Sequence, residues 1–469
     1  MDAAREEVLS PADPDASSCP GAAAADGLPT PRRHWAALTL LTAMSLAVLD
    51  ATIANVALPT IAADLDTTPA SAVWIVNAYN LTVVMLLLPL SAVAERVGFR
   101  RMFCIGLTVF LLGSLASALS GSLASLVLAR VFQATGSASL MCLFGGLVRN
   151  IYPLRMMGRG ISWNAMTVGI MTVLGPTIGA GILSLASWQW IFAINLPIGL
   201  LAFLGVRMLP DVPGTRKPFD LPSAVLCMVM LACFILGIDH LASHTIRSLG
   251  LLAVAGALAV WLVRRALAQP EPLVPVDLLR IPPLAYAVAA SALSFAAQMS
   301  AFVAFPFYFQ QERGLDALTT GLLLSAWPLG AAIMAPPAGR LSDRYSAAML
   351  AGIGAGTMAV GLAVLSALPL DVPLSWTAAA MFLAGVGFGF FQTPNNRAML
   401  TSAPRHRSGA AGGLQATTRV FGQSFGTALV AIAFGLAALR GPTLALAFSS
   451  ACAVLAVAVN GVRLKRLRP

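Results

Sequence analysis

Charge is what this sequence has least of. Of its 469 residues only 10% are Asp, Glu, Lys or Arg, against roughly 25% in an ordinary soluble domain. Hydrophobic residues make up 58%. A membrane-crossing helix needs about 20 apolar residues, so fourteen would need about 280, which is what this composition supplies. One globular core cannot absorb that much apolar surface, because soluble domains split beyond about 250–300 residues. Paired cysteine spacings are also missing. Cys104, Cys142, Cys227, Cys233 and Cys452 sit in apolar runs as small hydrophobes and Cys19 lies in a polar stretch, so neither a disulfide framework nor a zinc site is expected. No phosphate-binding lysine motif occurs, which excludes ATP as an energy source. No intramembrane cluster of His, Asp and Glu offers enzymatic chemistry, and no filter repeat or arginine ladder suggests a channel.

From Trp35 onward, apolar runs alternate with short polar breaks. The spans read as 36–58, 71–93, 102–121, 123–146, 160–184, 188–209, 221–241, 246–268, 284–308, 318–338, 347–368, 374–394, 409–438 and 442–462. Residues 1–34 carry six acids among Ala, Pro and Ser with no apolar segment, and read as a disordered cytoplasmic tail rather than a signal peptide. With fourteen spans, alternate loops and the two tails hold 24 of the 29 basic residues. One miscounted helix would destroy that bias, so the positive-inside rule supports the count and puts both termini in the cytoplasm of a multi-pass protein of the cell (inner) membrane. The net charge of +10 is then an orientation signal facing lipid, and nucleic acid is not an expected partner.

An internal repeat is legible. Ser91-Ala92-Val93-Ala94-Glu95-Arg96 ends the second span and Gly339-Arg340-Leu341-Ser342-Asp343-Arg344 ends the tenth, with the two acids 248 residues apart. Eight spans at about 31 residues each match one helix plus one loop. Two six-helix halves, 35–210 and 284–469, separated by a two-helix insert at 211–283, would produce this offset. Parallel repeats of this kind are a transporter architecture with the substrate site between the halves.

Several stretches resemble the major facilitator superfamily, and specifically its fourteen-span drug:proton antiporter branch. Leu49-Asp50-Ala51-Thr52-Ile53-Ala54-Asn55-Val56-Ala57-Leu58-Pro59 is similar to that branch's first-helix signature. The acid–Arg loop ending Gly98-Phe99-Arg100-Arg101 resembles the superfamily's loop between helices two and three. Arg130-Val131-Phe132-Gln133 with Gly136 resembles the fourth-helix motif, and Gly175-Pro176-Thr177-Ile178-Gly179 the fifth-helix antiporter motif. Trp188-Gln189-Trp190-Ile191-Phe192, followed by Asn195, Pro197 and Gly199, looks like the entry to helix six. Ser91 stands where the family usually has Gly, Glu95 where it usually has Asp, and Ala134 and Ala180 replace common glycines. The resemblance implies an all-α integral membrane fold of two six-helix bundles plus two extra helices.

Asp50 and Arg130 are the ionisable residues deep in the first six spans, where an unpaired charge costs roughly 3 kcal/mol. At 1.5 Å per residue both lie on the outer side of the midplane, roughly 4–5 Å and 7 Å from it, so they can pair if spans one and four are neighbours. Burial disfavours a carboxylate's charge and a nearby guanidinium favours it. Movement of Arg130 relative to Asp50 would thus change proton affinity between states; a static structural ion pair is the alternative. Gly175 and Gly179 share a helix face and Pro176 removes a donor, which suits either a seam sealing against leak or generic packing. Glu95, Arg96, Arg100, Arg101, Asp343 and Arg344 lie at the membrane boundary, as a gating clasp between the halves or as topology signals. Asn80 and Gln298 are the candidate substrate-cavity residues.

Together these readings point to proton-coupled efflux of amphipathic small molecules by alternating access, driven by the proton gradient with no cofactor and no metal. A dedicated self-resistance exporter of a natural product is the alternative, and a proton-coupled nutrient symporter a further one. Involvement of a periplasmic adaptor protein stays open.

Overall fold

The computed structural model describes residues 27–214, 219–239, 245–269, 272–315, 317–369, 371–404, 407–436 and 440–466. These residues form no strand and contain fourteen helices long and apolar enough to cross a membrane. In chain order they are α1 Arg32–Asp64, α2 Trp74–Val97, α3 Phe99–Ala118, α4 Leu123–Ile151 and α5 Met157–Leu185. The interrupted α6 Trp190–Met208 completes the first bundle. Two inserted helices follow, α7 Leu221–Asp239 and α8 Thr245–Leu267. The second bundle comprises α9 Pro282–Phe307, α10 Thr319–Ser342, α11 Ala347–Ala367, α12 Leu374–Ser402, α13 Ser408–Leu436 and α14 Gly441–Arg466.

Most of residues 1–34, read as a tail, lies outside the described residues. Its end is ordered: Leu28 donates its N–H to the Ile151 carbonyl at 3.0 Å, and α1 begins at Arg32. Several helices run beyond the apolar spans at their arginine-bearing ends, α2 to Val97, α4 to Ile151 and α12 to Ser402. The apolar pattern stops where the side chains leave hydrocarbon. The helix continues because its polar last turns are where the two halves meet. The tight turn between the third and fourth spans is set by a reciprocal cap, Ser122 and Ser125 each accepting the other's N–H, which satisfies two orphan donors at the start of α4.

The two bundles repeat one packing scheme. On α4, Gly136 fits against the backbone of Phe110 and the carbonyl of Gly106; on α12, Gly387 fits against Met358 and Gly354 in the same way. Phe110 and Met358, like Gly106 and Gly354, are 248 residues apart. Gly354 of α11 and Gly387 of α12 are therefore helix-contact positions, since close backbone approach requires residues without a side chain. On α5, Gly175 closes on Thr52 of α1, and on α13 Gly422 closes on Ala292 and Phe295 of α9. The halves diverge in what they bury. Gly113 packs on Gln133 in the first bundle and Gly361 on Ala384 in the second, which makes Met381 the counterpart of Arg130. The offset of 248 makes Gln298 the counterpart of Asp50. One bundle holds a polar centre; the other holds an aromatic core, where Trp327 lies 5.5 Å from Phe302 and 6.2 Å from Phe388 between ring centroids.

The inserted pair packs on itself and, through α7, on α2. Phe234 of α7 stacks on Phe421 of α13 at 5.6 Å. At the start of α7, Asp220 accepts hydrogen bonds from Arg265 and Gln269 at the end of α8 and from Ser223. Burial alone would raise its carboxyl, but these donors outweigh it and hold Asp220 well below the usual carboxylate range.

Candidate functional site

Asp50 and Arg130 meet at 2.6 Å, and both are essentially inaccessible, 1% and 0% exposed. They bring α1 and α4 together inside the first bundle. The carboxylate is dressed on every side: Arg130 Nη1 donates to Oδ2, while Gln133 Nε2 and Asn195 Nδ2 each donate to Oδ1 at 2.8 Å. The two amides also donate to Ser114 Oγ, at 2.7 and 3.2 Å. Gln133 Oε1 accepts from Arg130 at 2.6 Å. The guanidinium is sandwiched between rings, 4.1 Å from the Tyr79 centroid and 5.3 Å from that of Phe192. Three donors converge on one carboxylate.

Gln133 and Asn195 were not singled out from the sequence as site residues, although both fall within motifs quoted there. Gln133 lies one residue short of a full turn beyond Arg130, which aims both side chains to one side of α4. Asn195 follows the interruption in α6 at Ile194. That break lets the chain present an amide to a neighbouring helix instead of running past it.

Next to this centre is a cavity of about 440 Å³ between the bundles, within the size range of drug-binding pockets. Ala51 and Thr52, the residues after Asp50, line it, as does Tyr79, whose ring covers Arg130. Asn80 lines it as expected. Gln298 does not; Met299 takes its place. Consecutive residues on a helix point about 100° apart, and on α9 the cavity-facing row is Phe295 and Met299, one turn apart. Gln298 lies off that row. A smaller lobe of about 80 Å³ extends the space toward the arginine-rich face, lined by Asn164, Gln392, Asn396 and Gln415 among others. Arg419 of α13 borders both lobes. Ile235 and Leu236 of α7 also reach the cavity, so the inserted pair forms part of its wall.

On the arginine-rich face the cavity is shut by crossed contacts. Glu95, at the end of α2, accepts the N–H of Ala410 in the first turn of α13 at 2.8 Å. Asp343, after α10, accepts the N–H of Gly158 in the first turn of α5 at 2.9 Å. Each acid thus caps the other bundle's helix, where unpaired N–H groups and the positive end of the helix dipole favour an anion. Arginines complete the cross. Arg149 donates to the Leu400 and Ala403 carbonyls at the end of α12. Arg397 donates to the Leu154 carbonyl at 3.2 Å and lies 3.3 Å from Asp343. Burial raises the Asp343 carboxyl above its ordinary value despite the opposing pull of the Gly158 N–H and of Arg397 and Arg159.

Of the six expected clasp residues, Glu95 and Asp343 therefore cross between the bundles. Arg96 lies instead over the ring of Phe219, 5.7 Å from its centroid, on the inserted segment. Arg100, Arg101 and Arg344 form no ion pair among the described residues, and the last two are exposed. Arg149 and Arg397, two of the 24 basic residues in the alternate loops and tails, carry the contacts. They are 248 residues apart, the offset of the acid pair. Between the clasp and the cavity the helices touch through small residues: a Cβ on Gly145 would come within 2.8 Å of Gly412 Cα and 2.7 Å of Leu400 Cδ2. Ser91, in place of the family's usual Gly, donates to the Leu88 carbonyl at 2.7 Å. It fits because Gly413 opposes it, where a Cβ would come within 2.6 Å of Ser91 Oγ.

The fifth-helix motif contacts α1 within the same bundle. Gly175 and Gly179 are buried against Thr52 and Ile53, two and three residues beyond Asp50. Pro176 lies inside the helix between them. Gly169, one to two turns earlier, faces Ala332 and Pro328 of α10 instead. α5 therefore contacts both the buried acid's helix and the other bundle.

The sequence profile of the Major Facilitator Superfamily matches residues 40–427. An Escherichia coli (strain K12) protein described as uncharacterized transporter YebQ is 46% identical over 455 residues, covering 95% of this chain and 98% of its own. The riboflavin transporter RibZ of Clostridioides difficile (strain 630) is 30% identical over 85% of this chain and 87% of its own. The tetracenomycin C resistance and export protein of Streptomyces glaucescens is 28% identical over 85% of this chain and 76% of its own.

Proposed function

Because the chain belongs to the Major Facilitator Superfamily, a family of membrane transporters and not of enzymes, we propose that it exports amphipathic small molecules across the cell membrane in exchange for protons. The observation that carries this reading is the position of Asp50. It is the one buried carboxylate among the described residues, tied to Arg130, Gln133 and Asn195, one residue from the cavity wall and on the helix that Gly175 and Gly179 contact.

The mechanism follows from charge. With the arginine-rich face in the cytoplasm, the clasp is closed on the inside and the protein faces outward. In this state the carboxylate is held by three donors. A proton arriving through the cavity neutralises Asp50 and removes its attraction for Arg130. The guanidinium, a full positive charge sealed inside the bundle, then favours a different packing of α1 against α4. Since α1 also carries the α5 seam, and α5 begins at the Gly158 arm of the clasp, the change at Asp50 has a continuous path to the gate. Opening inward exposes the same acid to the cytoplasm. There substrate binding favours the deprotonated state, so proton entry drives substrate exit.

Two other readings have a specific observation behind them. The tetracenomycin C relative favours a dedicated exporter of one natural product, and the riboflavin transporter favours a nutrient substrate. A gradient-driven export assay separates these from the main proposal. Everted vesicles carrying the protein are energised by respiration and given pyrene amphiphiles with negative, neutral or positive head groups. Exchange with protons is expected to load at least one probe, and a protonophore to stop loading. Loading that survives the protonophore, or no loading of any probe, contradicts the proposal.

A further inference from the structure

We propose that the cavity is built for an organic anion, with Arg419 as the group that receives its carboxylate or equivalent; this rests on the transporter reading of the same cavity. Arg419 lies eleven residues into α13, roughly 16 Å from its start at 1.5 Å per residue. It is therefore near the middle of a hydrocarbon layer about 30 Å thick. It borders both the 440 Å³ cavity and the 80 Å³ lobe beneath it. Among the described residues it makes no hydrogen bond and no ion pair.

The contrast with the other deep guanidinium is the core of the inference. Arg130 is sealed, with Asp50, Gln133 and two aromatic rings around it, and its charge is satisfied within the protein. Arg419 has no such set, and its side chain stands where a ligand would be. The lining of neither lobe contains an aspartate or glutamate. Asp50 does not compensate, because its oxygens are occupied by Arg130, Gln133 and Asn195. The walls instead offer neutral polar groups, Asn77, Asn80 and Gln423, and apolar side chains, Met141, Met299 and Leu236. A half-buried cation deep in a membrane-spanning helix, with no carboxylate beside it, carries a desolvation cost. Occupancy by a ligand anion removes it.

The chemistry of the residue narrows the class. A guanidinium presents parallel N–H donors that match a carboxylate, sulfonate or phosphate in a forked geometry. The apolar walls require the rest of the molecule to be hydrophobic, and methionines fit ligands of varied shape. A lipophilic cation, by contrast, would sit in a cavity whose one fixed charge repels it. The substrate class is therefore an amphipathic monoanion of drug size.

The test is equilibrium binding to the purified full-length protein in detergent or nanodiscs, with no proton gradient. The probes are pyrenebutyrate, pyrenebutyramide and pyrenebutylamine, which share a ring system and differ in charge. A charge-assisted pair is worth roughly 1.5–3 kcal/mol, so pyrenebutyrate is expected to bind about tenfold to hundredfold more tightly than the amide, and the ammonium more weakly still. Arg419→Gln should bring pyrenebutyrate to the level of the amide, and Arg419→Lys should keep a preference for the anion. Equal binding of the three probes by the unaltered protein, binding of none, or an undiminished anion preference in a folded Arg419→Gln variant overturns the proposal. The transport reading fails differently. Uptake that ignores the protonophore would remove proton coupling whatever the charge preference, and loss of the charge preference would leave gradient-driven uptake of another probe intact.

Discussion

Asp50→Asn is expected to abolish gradient-driven loading of everted vesicles while leaving counterflow exchange of labelled for unlabelled substrate in place. Net export needs the proton to be taken up and released, whereas exchange needs only the substrate-bound protein to cycle between its two faces. Asparagine keeps an oxygen on Arg130 and keeps the volume, so the fold should survive. Alanine is the poorer choice. It would leave Arg130, 0% exposed, as an unpaired buried charge at a cost of roughly 3–5 kcal/mol, and misfolding would obscure the result. Retained counterflow in the Asn variant makes the loss of net transport a loss of coupling. Loading that continues at the unaltered rate would make Asp50 part of a static ion pair.

The second large effect concerns the gate. Gly145→Val places a branched side chain where Gly412 Cα and Leu400 Cδ2 already stand within 2.8 Å of a Cβ position. The arginine-rich face then cannot close as it does here, and overpacking of this kind costs roughly 1–3 kcal/mol. That cost falls on the outward-facing state alone. A cysteine introduced at Asn77, on the cavity wall near the start of α2, reports the outcome. A membrane-impermeant maleimide applied from outside is expected to label it readily in the unaltered background and about tenfold more slowly with Gly145→Val, tenfold being 1.4 kcal/mol of bias. Equal labelling would mean that the Gly145–Gly412 contact does not hold the gate. Glu95→Gln together with Asp343→Asn should shift labelling in the same direction but less, because both amide side chains still accept the N–H of Ala410 and Gly158.

Much of the architecture was legible because it is written in quantities that tolerate local error. Fourteen apolar runs and a consistent placement of arginines do not depend on where any helix ends, and the helices beyond Val93, Gly146 and Pro394 were missed for the same reason. Their last turns are polar, and hydropathy cannot tell a polar turn at a subunit-like seam from a loop. The acid pair Glu95 and Asp343 was legible as a repeat, since two copies 248 residues apart leave the same signal twice. Its arginine counterparts Arg149 and Arg397 were equally spaced but looked like orientation signals, because a basic residue at a helix end satisfies the positive-inside rule whatever else it does.

Side-chain direction was the weaker link. Asp50 and Arg130 could be placed at one depth from residue counts, but that Gln133, Asn195 and Ser114 would converge on the same carboxylate depends on how four helices are rotated. Gln298 illustrates the limit: it is polar, deep and on the right helix, yet the cavity belongs to its neighbour Met299. It stands opposite Asp50 in the repeat, and only the first bundle builds a polar centre there, with Met381 and Ala384 filling the equivalent place in the other. Arg419 falls inside the apolar span 409–438. What the sequence could not show is that the described lining of both lobes around it holds no aspartate or glutamate, the observation on which the proposed anion site rests.

The most direct test of proton exchange at Asp50 is to count protons as substrate binds. The purified protein is placed in a weakly buffered detergent solution with a pH indicator, and a probe that vesicles accumulate is added. If Asp50 is the acid that exchanges with substrate, binding releases protons from the unaltered protein across the pH range where coupling operates, and the Asp50→Asn variant binds the same probe without release. Equal proton release from both proteins, or none from either, would contradict it.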